Sequence, residues 1–96
     1  MPKTFTQKVY AVVAQISRGE VRTYLEVAKL AGNEKAARAV GNILNKNRNP
    51  KVPCHRVIRS DGKIGGFVFG SARKVQKLKK EGVKISRDEI VKISLR

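Results

Sequence analysis

Apolar residues first recur at helical spacing over residues 4–18, where Phe5, Val9, Val12 and Ile16 line one side. Thr4, with Gln7 three residues on, fits a capping box at the start of this segment, and Gly19 ends it. Glu20-Val21-Arg22 reads as a short extended link. Thr23 and Glu26 then repeat the capping pattern and open a second helix over residues 24–31, which Gly32 stops. Asn33 caps a third helix over residues 34–45, whose buried side is Ala37, Val40, Ile43 and Leu44. Two helices around a tight Gly-Asn turn make a helix-turn-helix. Ser71 caps a fourth helix that ends at Glu81-Gly82, with Ala72, Val75 and Leu78 inward and Arg73, Lys74, Lys77, Lys79 and Lys80 in solvent. Between the third and fourth helices, residues 57–59 and 63–67 flank Ser60-Asp61-Gly62 and predict a hairpin or wing. Residues 83–95 alternate enough for a second small hairpin around Arg87-Asp88-Glu89. The expected fold is mainly α: a small three-helix, winged-helix-like helix-turn-helix with a fourth helix and short β-hairpins. A chain of 96 residues holds one core, so residues 1–96 are expected to form a single domain.

Charge changes the picture. Lys and Arg total 22 against seven acids, a net charge of +15, which attracts a polyanion, nucleic acid first. Residues 35–60 contain no acid, while Lys35, Arg38, Lys46, Arg48, Lys51, Arg56 and Arg59 are all basic. No apolar run approaches the roughly 20 residues of a membrane span, and no signal-peptide core opens the chain. The expectation is a soluble cytoplasmic protein, nucleoid-associated if prokaryotic, and a monomer without a membrane partner. The face of the third helix opposite its apolar side carries Ala36, Ala39 and Gly41 around Arg38. A glycine inside a helix costs about 1 kcal/mol relative to alanine, so Gly41 signals a close approach, either to helix one or to nucleic acid.

The sole cysteine and sole histidine are adjacent in Val52-Pro53-Cys54-His55-Arg56-Val57. They exclude an internal disulfide and a four-ligand zinc site of cysteine and histidine, so no metal or cofactor is expected. An isolated cysteine is as a rule an inert buried hydrophobe. Here Pro53 stiffens the turn, His55 can serve as a base, and Arg56 can supply a positive field that lowers the thiol pKa. The glycines at 62, 65, 66 and 70 allow a flat ligand to lie against backbone.

Taken in order, these motifs resemble the C-terminal catalytic domain of the O6-alkylguanine-DNA alkyltransferases, DNA-repair proteins spent in a single turnover. The resemblance runs from Phe5-Thr6 through Thr23-Tyr24, Ala31-Gly32-Asn33, the stretch Ala36-Ala37-Arg38-Ala39-Val40-Gly41, an Asn-Pro loop, Pro53-Cys54-His55-Arg56-Val57-Ile58 and Gly65 to Glu81-Gly82. It implies that Cys54 takes the alkyl group from guanine O6, His55 receives the thiol proton through a water, Glu81 steadies the imidazolium, and Tyr24 donates to the base. Arg38 would fill the gap left by a flipped nucleotide, entering by the minor groove, with Ala36, Ala37, Ala39, Gly41 and Tyr24 against the DNA. The extracted base would meet Leu44, Cys54, Val57, Phe67 and Val68. The implied partner is double-stranded DNA containing O6-alkylguanine.

Against the family pattern, the usual N-terminal domain is expected to be absent, Phe67 stands at a common tyrosine, and Val68-Phe69 at a usual Ser-Gly. The loop before the cysteine is about one residue short, so its hinge asparagine is Asn47 by distance from Arg38 or Asn49 by its Pro50 neighbour, with the proline giving Asn49 the slight preference. Two other readings remain: an alkyltransferase-like protein that senses the lesion without transfer, a group that characteristically lacks the cysteine, or a basic helix-turn-helix regulator with an idle thiol.

Overall fold

Thr4 caps α1 (Phe5–Ala14): its hydroxyl accepts from the Gln7 amide at 3.1 Å while the Gln7 side chain accepts from the Thr4 amide at 2.9 Å. The computed structural model describes residues 3–60, 71–86 and 89–90. The helix ends four residues earlier than its apolar spacing predicts. Its last turn tightens, with the amides of Gln15 and Ile16 bonding to Val12 and Val13, and this drops Ile16 into the core. The Ile16 carbonyl, released from the helix, accepts from Arg56 Nη1 at 2.7 Å. Gly19 takes the left-handed φ of +87° that turns the chain.

Strand β1 (Arg22–Thr23) leads directly into α2 (Tyr24–Leu30). Thr23 and Glu26 form the second capping box at 3.0 Å each way, and Glu26 also pairs with Arg22 at 3.7 Å. The end of α2 is a Schellman turn, with Asn33 N bonded to the Ala28 carbonyl, Gly32 N to the Lys29 carbonyl, and Gly32 at φ +99°.

The third helix, α3 (Ala37–Asn45), starts three residues later than expected. Asn33 caps a separate turn, accepting from the Lys35 amide on its side chain and from the Ala36 amide on its carbonyl, so its capping capacity is used before the helix begins. Ala36 precedes α3 without a side-chain cap.

Helices α1, α2 and α3 close around Val9, Val13, Ile16, Val27, Ala28, Ala31, Val40 and Leu44, and Cys54 and Val57 complete this core. Cys54–Arg56 form a 3-10 turn that runs into β2 (Val57–Ile58). β2 pairs in parallel with β1, Arg22 opposite Val57 and Thr23 opposite Ile58. The expected return arm at 63–67, with its Asp61-Gly62 turn, lies outside the described residues. Helix α4 (Ser71–Lys80) packs on the 3-10 turn, and Leu78 joins Val21 and Ile58 in a second small cluster. Ser71 is the first residue of α4, where a cap was expected. Gly82 (φ +93°) closes the helix in a second Schellman turn, Val83 N to the Leu78 carbonyl. β3 (Ile85–Ser86) and β4 (Glu89–Ile90) pair antiparallel, as the alternation over 83–95 indicates.

The fold is thus predominantly helical, with four α-helices and two short two-stranded ladders among the described residues. Thr23 does double duty as a ladder residue and a cap. Thr23→Ala is expected to lower stability by about 1 kcal/mol, read as a lower urea midpoint with unchanged slope, and Thr23→Ser should recover most of the loss.

Candidate functional site

The parallel pairing of β1 and β2 sets the site. Because Thr23 sits opposite Ile58, the start of α2 and the 3-10 turn lie side by side, and Tyr24 approaches Cys54. Pro53 (φ −78°) holds the turn's entry, with Cys54 N bonded to the Val52 carbonyl at 2.8 Å and Arg56 N to the Pro53 carbonyl at 3.0 Å.

From this turn His55 and Arg56 both reach Glu81, at the C-terminal end of α4. Arg56 grips the carboxylate with two parallel bonds, Nε to Oε1 at 2.9 Å and Nη2 to Oε2 at 2.7 Å, and His55 Nε2 meets Oε2 at 2.9 Å. Partial burial pushes the Glu81 carboxyl up, but the hydrogen bonds from Arg56 and His55 outweigh it and hold it down at about 2. An ionised Glu81 only accepts, so Nε2 carries the imidazole proton. Burial lowers the His55 pKa against the opposing pull of Glu81, so the ring is neutral near pH 7 and Nδ1 bears a lone pair. Such a histidine can receive a proton.

Arg56 is therefore not the cation beside the sulfur. Burial pushes the Cys54 thiol up; the hydrogen bond from Asn47 Nδ2 to Sγ at 3.0 Å and the charges of Lys74 and Lys77 pull it down without cancelling that effect. The thiol pKa is raised, not lowered as expected: Cys54, 6% exposed, rests as a thiol, with the neutral His55 the next residue in the chain. Lys74 was expected in solvent and is 0% exposed, its Nζ 3.3 Å from Tyr24 Oη and 5.5 Å above the Tyr24 ring. The sequence signal for this is the spacing Lys74, Leu78, Glu81, which puts all three on one stripe of α4.

Asn47, not Asn49, ties α3 to the cysteine loop. The Asn47 side chain is buried; it donates to the Asn49 carbonyl (3.1 Å), the Val52 carbonyl (3.4 Å) and Cys54 Sγ, and accepts from the Asn49 amide (3.0 Å). The Asn49 side chain turns to the Lys51 amide. Pro50 follows Asn49, so the proline neighbour and the hydrogen bonds point to different asparagines.

Arg38 and Ala39 are exposed, Ala36 and Ala37 half-buried, and Leu44 and Val57 buried in the same cluster as Cys54. Tyr24, Ala37, Arg38, Gly41, Asn42, Arg59 and Ser60 line an open groove of about 730 Å³. A Cβ on Gly41 would stand 3.9 Å from the Tyr24 ring, an ordinary contact, so packing against helix one is not what requires this glycine. Phe67 and Val68 lie outside the described residues. Among the described residues no three of His, Cys, Asp and Glu gather as metal ligands, and no helix is long and apolar enough to cross a membrane.

The family model for the DNA-binding domain of 6-O-methylguanine DNA methyltransferase matches residues 4–83. The chain belongs to this family. It is 49% identical over 81 residues to the methylated-DNA--protein-cysteine methyltransferase of Methanosarcina acetivorans, covering 81% of this chain and 51% of that relative. The chain thus spans about half the length of that methyltransferase. It is 45% identical over 93 residues to the DNA base-flipping protein of Vibrio parahaemolyticus, covering 96% of this chain and 91% of that one. Among solved structures, Schizosaccharomyces pombe Atl1 in complex with damaged DNA containing O6-carboxymethylguanine superposes with a TM-score of 0.78 at 39% identity, over 85% of this chain and 79% of that one.

The titrations of this family member's buried groups set an acid profile. The depressed His55 pKa means that the unfolded chain binds a proton more readily, so stability falls as pH drops below about 6.5. The Glu81 contribution is complete above about 4.5 and is lost as pH falls toward about 2. Thermal melting followed across this range should show both losses, and Glu81→Gln, less stable throughout, should flatten the lower one.

Proposed function

We propose that this chain repairs DNA by direct reversal, moving an alkyl group irreversibly from guanine O6 to Cys54. The supporting observation is the His55–Glu81 bond at 2.9 Å, with a neutral imidazole adjacent to the buried thiol. His55 takes the proton from Sγ, through a water, and Glu81 carries the resulting positive charge in the manner of a catalytic triad. Sulfur then bonds to the alkyl carbon as the carbon–O6 bond breaks. The electron pair leaves with guanine, whose developing negative charge Tyr24 relieves by donating a hydrogen bond. Since the resting thiol is protonated, the sulfur anion forms only as His55 removes its proton. The protein ends as a thioether and turns over once.

A thiol cannot reach O6 inside a stacked duplex, so the nucleotide is flipped out. Arg38, exposed at the head of α3 and flanked by Ala37, Ala39 and Gly41, takes its place in the stack from the minor groove. The net charge of +15 supplies affinity through phosphates, largely independent of sequence. Asn47 keeps α3 and the cysteine turn in register, while Leu44 and Val57, with Phe67 and Val68, accommodate the base. The module is residues 1–96 as a single domain acting as a monomer, and it needs no cofactor.

A second reading has its own support. The chain matches nearly the full length of a base-flipping protein, which suits an alkyltransferase-like sensor that binds and flips without transfer. Cys54 and its proton relay favour the first.

Mixed with a duplex containing O6-methylguanine, the protein should gain one methyl group, located on Cys54 by intact mass and peptide mapping. An unmodified mass at stoichiometric protein would leave the sensor reading. Cys54→Ser should abolish transfer and retain lesion binding. Arg38→Ala should slow transfer from duplex by about tenfold or more while sparing reaction with the free modified base; equal losses on both substrates would refute its role in flipping.

A further inference from the structure

Lys74 is a charged side chain with no solvent exposure, in a protein with 21 other basic side chains available to surround it with water. Desolvating an ammonium costs several kcal/mol, so its position reflects what it touches. Its Nζ stands 3.3 Å from Tyr24 Oη, across 50 residues of chain, and 5.5 Å over the ring of the same residue. Cys54 lies close enough that its sulfur, once ionised, acts on both Lys74 and Tyr24. The ammonium has three hydrogens and no lone pair, so Tyr24 Oη is the acceptor in this contact. The phenolic hydrogen must then point away from Lys74, and a hydroxyl that accepts from a cation is itself a stronger donor. Tyr24 meanwhile lines the groove beside Arg38 and Gly41.

We propose that Lys74 is a positioning residue for alkyl transfer, turning the Tyr24 hydroxyl hydrogen toward the flipped base and strengthening the hydrogen bond to the guanine as it departs. The inference rests on the alkyl-transfer reading above. It assigns Lys74 an action through Tyr24, distinct from that of a counterion for the Cys54 sulfur. Burial holds Lys74 near a pKa of about 8, so its charge is largely present at neutral pH and the contact keeps this polarity there.

The test is a double-mutant cycle. Lys74→Met keeps the aliphatic stem, removes the charge, and exchanges a buried ion for an apolar group, so the fold should not suffer. Lys74→Met and Tyr24→Phe should each slow transfer from a methylated duplex by about tenfold to a hundredfold. The double variant should be no slower than Tyr24→Phe alone. Losses that multiply, or no loss in Lys74→Met, overturn the proposal, the first pointing to a direct effect on Cys54. A second readout needs no transfer at all. With 13Cζ-labelled tyrosine in the Cys54→Ser protein, the Tyr24 resonance should move with pH near 8 as Lys74 deprotonates, Tyr10 serving as the internal reference, and Lys74→Met should abolish the movement. A Tyr24 signal indifferent to Lys74 overturns the inference whatever the wild type does. If Tyr24 follows Lys74 but the wild type acquires no alkyl group, it is the transfer reading that fails, and the role in transfer with it.

Discussion

The carboxylate of Glu81, shared between Arg56 and His55, is the constraint around which the molecule is arranged. One oxygen pair accepts three hydrogen bonds, and the same guanidinium also holds the Ile16 carbonyl. Four segments meet there: the end of α1, the 3-10 turn, the end of α4, and, through the turn, the α3 loop that Asn47 anchors. The carboxylate is held ionised down to about pH 2, so near neutral pH it fixes the imidazole tautomer and leaves the other ring nitrogen as a base. A lysine in place of Arg56 would keep the charge but lose the planar fork that aligns both oxygens.

Much of this was legible in the residue order. The capping pairs Thr4/Gln7 and Thr23/Glu26, the glycine stops at 32 and 82, and the apolar stripes of α1 to α3 rest on local chemistry, and they fold as that chemistry dictates. His55 and Glu81, 26 residues apart, were joined only by the resemblance, because neither spacing nor charge on its own pairs them. Errors fell where a local rule met a tertiary demand. Asn33 is a good helix cap, yet its groups are used in the turn before α3. Val57–Ile58 carries a strand signal, and among the described residues it pairs with the distant Arg22–Thr23, which no turn residue announces.

The charges were the least readable part. Composition identifies a polycation and says nothing of which cation faces the sulfur. Arg56, adjacent in sequence, bonds to Glu81 instead, while Lys74, 20 residues away, is buried beside Tyr24. Proximity along the chain misleads here because the Arg56 guanidinium is taken up by Glu81 and the Ile16 carbonyl. The raised pKa of Cys54 follows from the same packing: the core that positions the thiol also strips its water, and two lysines and an amide offset only part of that cost.

The hydrogen bond from Arg56 to the Ile16 carbonyl ties the chain just beyond the first helix to the His55–Glu81 pair. Loosening of the chain near residue 16 would free one arm of the guanidinium, let the carboxylate swing, and be felt as a weaker base rather than as a missing contact.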